Sequence, residues 1–253
     1  MASCVLVLLD GLNATTARLC MGFMVALEQA GKIRHTELHC EMPPLSRPLY
    51  ATLFSGKTPA EHGILHNEDT RLCPSPTIFS RARDAGLVTA AAAWYWVSEL
   101  CNATPFIPAR DRLTHSPSLP IGHGLFYSSD TYPDTELFRD AESLRYSHAP
   151  HLLLVHSMGI DTAGHRHGSD SRAYRDAARE ADGLLARTLP AWIAAGYTVI
   201  VTADHGMNAD GSHNDITDNV RLVPLWLTGH EEVHLPTAQT QIAGLVDRLL
   251  NLD

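Results

Sequence analysis

The sequence predicts an α/β protein, a three-layer sandwich with a mainly parallel central sheet and helices on both faces. Three observations carry that expectation. Short β-rich runs alternate with longer helical stretches along the whole chain. The first strand candidate, residues 4–9, is continuously apolar, as a strand covered on both faces must be. The helical stretches of the first third close on glycines, at Gly31, Gly56 and Gly86.

After the strand at 4–9, residues 15–30 read as a helix ended by Gly31, and residues 35–40 as a short strand. Residues 49–55 read as a helix closed by Gly56, and residues 78–85 as a helix closed by Gly86. An Ala-rich strand follows at 87–93. From Asn102 to Pro150, Pro, Ser, His and Tyr are frequent and periodicity is poor. Residues 102–150 are therefore expected to form a cap-like insertion that covers a site. Regularity returns with a strand at 151–156, a helix at 171–189, strands at 197–203 and 222–227, and a closing helix at 238–250. With no internal repeat and no low-complexity linker, residues 1–253 read as one catalytic domain.

Composition narrows the function. Hydrophobic residues at 45% and charged residues at 19% make a globular chain, too apolar for disorder. Lys plus Arg number 19 against 28 Asp plus Glu, a net charge of −9, which excludes a basic nucleic-acid binder. The apolar run at 5–9 lacks a basic segment before it and is too short for a signal peptide or a membrane span. The cysteines at 4, 20, 40, 73 and 101 are odd in number and form no C-x-x-C pair. They read as reduced thiols, so a cytoplasmic location and no membrane partner are expected. Fifteen His, nearly as many as all Lys and Arg, point to metal chemistry.

Parallel sheets bind ligands beyond the carboxyl ends of their strands. There the sequence places Asp10, then Asp161 with His165, then Asp204 and His205, then His213. The D-x-x-x-H spacing brings Asp161 and His165 to one face of a helical turn. Three Asp and three His suit Zn²⁺, and Mn²⁺ or Fe less specifically. Six ligands exceed the needs of one tetrahedral ion, so two divalent ions are expected. A nucleophile is offered by Ser46, which precedes Arg47-Pro48 and an apolar helical stretch. A helix start also favours an incoming phosphate through its dipole and free N–H groups.

The order of these residues resembles the alkaline phosphatase superfamily, and within it the nucleotide pyrophosphatase/phosphodiesterase branch. The resemblance rests on Asp10, on Ser46-Arg47-Pro48, and on Ser55-Gly56-Lys57-Thr58-Pro59-Ala60-Glu61-His62-Gly63-Ile64. It continues through Asp161-Thr162-Ala163-Gly164-His165-Arg166-His167-Gly168, Asp204-His205-Gly206-Met207 and His213. It implies an alkaline-phosphatase-like fold and two metal sites. One ion would be held by Asp161, His165 and His213, the other by Asp10, Asp204, His205 and the Ser46 oxygen. It also implies a small phosphorylated substrate and a phosphoseryl intermediate on Ser46. Leu49 stands where the branch carries an Asn, so binding of a phosphoryl oxygen is expected from Asn67, Arg47 or backbone N–H groups. A sulfatase is disfavoured, because Ser46-Arg47-Pro48-Leu49-Tyr50 lacks the final Arg of that motif. The same ligands would also serve a phosphomonoesterase or a phosphonoacetate-hydrolase-like C–P hydrolase. A degenerate metal-binding scaffold is the non-enzymatic alternative.

Overall fold

The computed structural model describes residues 2–229 and 232–252. Along the chain, β1 (Ser3–Leu9) leads to α1 (Ala14–Cys20), α2 (Gly22–Gln29) and β2 (Ile33–His39). The helices α3 (Ser46–Ser55), α4 (Pro59–His62) and α5 (Ile78–Asp84) precede β3 (Thr89–Trp94). Then come α6 (Trp96–Cys101), α7 (Pro108–Asp111), β4 (Leu113–His115), β5 (His123–Tyr127) and α8 (Asp134–His148). The chain continues through β6 (Leu152–Ser157), α9 (Gly159–His167), α10 (Arg172–Ala194) and β7 (Tyr197–Thr202). It ends with α11 (Asp218–Arg221), β8 (Leu222–Thr228) and α12 (Gln241–Leu250).

One eight-stranded sheet results, in the order β2-β8-β7-β1-β6-β3-β5-β4. The five strands from β7 to β5 pair in parallel, whereas β8 and β4 run against their neighbours. Residues 4–9 of β1 lie between β6 and β7 with no exposed surface, so the continuous apolar run marks the sheet centre. Each such Leu or Val contributes about 1.5–3 kcal/mol by leaving water. Helices α3, α5 and α12 pack with one another, and α12 with β1. A separate group, α1, α2, α8, α9 and α10, packs against β3, β6, β7 and β8. No helix among the described residues is long and apolar enough to cross a membrane.

The cap-like insertion expected at 102–150 is corrected by the structure. β5 pairs in parallel with β3, β4 closes the edge of the sheet, and α8 packs on β3, β5 and β6. The segment is thus part of the sandwich. Its pattern is faint because β4 has three residues, β5 carries Gly124, and α8 buries only Leu137, Phe138, Ala141 and Leu144. The helix expected at 15–30 is broken at Met21. There Asp182 of α10 accepts hydrogen bonds from the backbone N–H groups of Phe23 (2.8 Å) and Met24 (3.1 Å), capping α2. A cap supplied from so far along the chain leaves no local signature. The helix expected at 171–189 runs on to Ala194 with Pro190 inside it.

Candidate active site

The carboxyl ends of β1, β6 and β7 point to one edge of the sheet, and the loops beyond them converge there. Asp10 follows β1, Asp204 and His205 follow β7, and all three are fully buried. Asp161 and His165 stand one turn apart on α9, and His213 comes from the loop after β7. Ligand atoms of Asp10, Asp204 and His205 lie within 4.8 Å of one another, as do those of Asp161, His165 and His213. The two groups meet at Gly11. Its φ of +72° is left-handed, and a Cβ there would stand 2.8 Å from Asp161 Cα. Only glycine lets the β1 loop pass so close to α9.

Hydrogen bonds set the proton positions. A carbonyl oxygen can only accept, so each imidazole nitrogen facing one carries the proton. His165 Nδ1 donates to Gly211 O (2.9 Å), His213 Nδ1 to Pro44 O (2.7 Å) and His205 Nδ1 to Gly206 O (2.9 Å). Every Nε2 is thereby left with a bare lone pair. His213 Nε2 and His165 Nε2 are 3.2 Å apart, and His205 Nε2 lies 3.3 Å from Asp204 Oδ2 and 3.6 Å from Asp10 Oδ1. Lone pairs and carboxylates facing one another in this way repel unless a cation stands between them.

Three buried carboxylate oxygens repeat the point. Asp10 Oδ1, Asp161 Oδ1 and Asp204 Oδ2 have no hydrogen-bond partner among the described residues. Burial, reinforced by the charge of Asp10, pushes the carboxyls of Asp161 and Asp204 well above the usual range, with the charge of Asp204 adding to the effect on Asp161. Burial also acts on Asp10, but hydrogen bonds and charge from His156, His205 and Tyr50 outweigh it and hold that carboxyl low. The donor set is mixed oxygen and imidazole, with the second nitrogen of each His oriented by a carbonyl. It fits two borderline divalent cations such as Zn²⁺.

Asp10 is steadied on its other side. Trp94 N donates to His156 Nδ1 (3.3 Å), so His156 carries its proton on Nε2 and donates to Asp10 Oδ2 (3.2 Å). The Tyr50 hydroxyl donates to the same oxygen. Tyr50 is invisible to motif reading, since its only signal is a position one turn past Ser46 on α3, facing inward. Gln239 is likewise unforeseen: its Nε2 donates to Asp204 O (2.7 Å) while its Oε1 accepts from Glu41 N (2.9 Å).

Ser46 opens α3 and is 4% exposed, with Oγ 3.1 Å from His205 Nε2. The backbone groups beside it are less free than a helix start suggests. The Arg47 N–H donates to Asn67 Oδ1 (3.0 Å), and Pro48 has none to give. That bond places the Asn67 amide beside Ser46 with Nδ2 as its remaining donor end. Arg47 has two of its three guanidinium nitrogens engaged away from Ser46, while Nη1 is buried with no hydrogen-bond partner among the described residues. Nε donates to Asn67 O (2.7 Å), Nη2 to Glu99 Oε2 (2.8 Å), and the group lies 4.6 Å from the Trp96 ring centroid. Arg47 thus anchors Asn67 and α6. Leu49 is wholly in the core, and His167 is exposed on the outer side of α9.

Comparison with known proteins agrees with this geometry. Residues 4–227 match the family described as type I phosphodiesterase / nucleotide pyrophosphatase. Among curated relatives, GPI ethanolamine phosphate transferase 1 of Saccharomyces cerevisiae is 36% identical over 92 residues, 34% of this chain and 10% of that protein. GPI ethanolamine phosphate transferase 2 of Debaryomyces hansenii is 29% identical over 93 residues, 36% of this chain and 11% of that protein. The matched part spans about a tenth of those relatives. Murine ectonucleotide pyrophosphatase / phosphodiesterase 5, in an inactive form in complex with AMP, aligns with a TM-score of 0.72 at 13% identity, covering 100% of this chain and 96% of that one. A phosphonate monoester hydrolase from Silicibacter pomeroyi aligns with a TM-score of 0.67 at 12% identity, covering 99% and 73%. These two likenesses concern the fold.

Proposed function

Because the chain belongs to the type I phosphodiesterase / nucleotide pyrophosphatase family of the alkaline phosphatase superfamily, we propose that it is a two-metal hydrolase of small phosphate esters. The preferred reaction is phosphodiester or pyrophosphate cleavage through a phosphoseryl intermediate on Ser46. The observation that carries this reading is the Ser46 hydroxyl, 3.1 Å from His205 Nε2, beside buried carboxylate oxygens without partners. Asp161, His165 and His213 would hold one ion, and Asp10, Asp204, His205 and Ser46 Oγ the other. When bound, the two cations supply the positive charge that favours a Ser46 alkoxide and offsets charge on the phosphoryl oxygens.

The chain's own residues do the rest. Ser46 Oγ, its proton passed to solvent, attacks phosphorus in line, and the alcohol or phosphate opposite leaves with its bonding electrons and takes up a proton from solvent. Water then attacks the same phosphorus from the vacated side, and Ser46 Oγ leaves with its bonding electrons and regains a proton as the attacking water loses one. Two in-line displacements give net retention at phosphorus. Asn67 Nδ2 donates to a non-bridging oxygen, and the Arg47 N–H holds that amide in place. Tyr50 and His156 keep Asp10 turned toward the site. At −9 net charge the protein repels anions at long range, so the cleft must be locally positive before a phosphate ester enters. Five free thiols fit a cytoplasmic setting, which is part of the proposal.

A phosphomonoesterase or a C–P hydrolase would use the same ligands. The test is the zinc-loaded protein assayed side by side on bis-p-nitrophenyl phosphate, p-nitrophenyl phosphate and phosphonoacetate. The diester should turn over fastest; a diester rate below the other two overturns the preferred reaction. Zinc binding with no hydrolysis of any of the three would leave only the scaffold. Ser46→Ala should lower kcat by roughly 10⁵-fold, the scale of losing a covalent nucleophile, while zinc content is kept. Substantial turnover by that variant overturns the assignment of the nucleophile.

A further inference from the structure

A second cluster of imidazoles lies at the opposite end of the sheet. His115 and His123 face each other across the antiparallel pair β4–β5, and His148 is the last residue of α8. The neighbouring residues Ser116 and Gly122 are joined by a backbone hydrogen bond (2.8 Å), as are Arg112 and Phe126 (2.8 Å). By alternation His115 and His123 form a non-hydrogen-bonded pair, where side chains stand closest. Their Nδ1 atoms are 2.9 Å apart. The His148 ring stacks on His123 with centroids 3.7 Å apart and planes 7° apart. One ligand nitrogen from each of the three lies within 4.8 Å of the others.

The cluster is separate from the site described above. His123 opens β5, which runs parallel to β3, so it sits at the amino end of the parallel strands. The phosphate site occupies their carboxyl ends.

Two features make the cluster a binding site more than a contact. His148 ends a fifteen-residue helix, whose C-terminal carbonyls favour a positive charge. A cavity of about 280 Å³, lined by Arg83, Val88, Thr89, Pro117, Gly122 and His123, reaches the cluster at His123. Three imidazoles without a carboxylate suit Zn²⁺, Ni²⁺ or Cu²⁺ and do not suit Ca²⁺ or Mg²⁺.

We propose that His115, His123 and His148 form a further metal site for a borderline divalent cation such as Zn²⁺, which pins the edge strand β4 and the end of α8 to β5. The ion takes one nitrogen from each ring and a water as fourth ligand. His148 and His115, the more exposed rings, rotate about χ2 to present their lone pairs. β4 is three residues long and pairs only with β5, so a metal tie there fixes an otherwise weak sheet edge.

The test compares zinc bound per chain in the full-length protein and in His115→Ala and His148→Ala. His39→Ala, an exposed His elsewhere, is the control. Each protein is equilibrated with a slight excess of Zn²⁺, desalted and assayed by inductively coupled plasma mass spectrometry. Both cluster variants should bind one zinc fewer than the parent with phosphodiester hydrolysis unchanged, and the control should match the parent. His115→Gln repeats the measurement if an alanine variant misfolds. Equal zinc content in parent and cluster variants overturns the site. So does a melting temperature raised as much by Ca²⁺ as by Zn²⁺ through these His. The difference is read between parent and variant, so it holds whatever number of ions the phosphate site retains.

Discussion

Asp10, Asp204 and His205 are sealed from solvent, whereas His165, in the facing group, keeps 48% of its side chain exposed. The two groups of ligands draw on the same residue types, yet in one all three are sealed, while in the other Asp161 and His213 are buried and His165 alone forms a rim open to solvent. Depth follows from where the chain supplies them. The sealed group comes straight off the ends of the central strands β1 and β7, under α3. The other group stands on the nine-residue helix α9 and on the loop after β7, and only its His165 reaches the surface. In the reaction proposed above, the sealed group would fix the nucleophile and the His165 side would admit substrate and water.

The largest effect expected of this contrast concerns the carboxylates. Asp204→Asn removes charge where no water can replace it, and should lower kcat/KM by roughly 10²- to 10³-fold, about 3–4 kcal/mol of transition-state stabilisation. His165→Ala, on the rim, should lose less, because water can occupy the vacated position. Steady-state kinetics on the same diester decides it. Equal losses would erase the distinction between pocket and rim. Removal of metal sharpens it further: in the His115→Ala background, which lacks the imidazole-cluster ion, a chelator should release zinc in two phases, with the fast phase the one abolished by His165→Ala.

A smaller effect isolates the support of Asp10. Tyr50→Phe deletes one hydroxyl in a fully buried ring and leaves the packing intact. Partners of metal ligands are typically worth 10–100-fold in metal affinity. Zinc should be retained about that much less tightly in the slow phase, with the fast phase unmoved. A change in the fast phase instead would show that the two groups are not independent.

These contrasts mark what could be read from the chain and what could not. Asp10, Asp204 and His205 were legible because a strand end delivers a ligand with the sequence position as its address. His213 was legible from the polar loop that follows the same strand end, nine residues past Asp204. Tyr50, Gln239 and Asp182 were not, because their tasks are set by partners 40, 35 and 159 residues away. Residues 102–150 misled for a related reason. A three-residue strand and a helix with a narrow apolar stripe owe their form to the sheet they join, and a local window cannot see that sheet. Arg47 reads as a free cation in sequence, but Glu99 and Trp96, far along the chain, claim it.

The smallest effect is a dependence on pH in the metal-free protein, with an acid limb from the buried imidazoles and an alkaline limb from the buried carboxyls. Burial, with His205 adding to it, lowers the His213 pKa from 6.5 to about 3. Between those values the unfolded chain binds a proton that the folded chain does not. Stability contributed by His213 is therefore lost as pH falls from about 6.5 toward 3. Asp204 has the opposite sign. Burial and the charge of Asp10 raise its folded pKa well above 3.8, so the folded chain holds the extra proton. Its contribution is complete below pH 3.8 and is lost as pH rises through the folded value. Chelated protein should thus melt highest at an intermediate acid pH, with each kcal/mol shifting the midpoint by about 2–4 °C at this chain length. His213→Asn should weaken the acid limb and leave the alkaline one, and Asp204→Asn should weaken the alkaline limb, where Asp161 still titrates. Zinc should abolish the alkaline limb, because the carboxylates it needs are the ionised ones. An acid limb untouched by His213→Asn, or an alkaline limb untouched by Asp204→Asn, would remove that residue from the pH dependence.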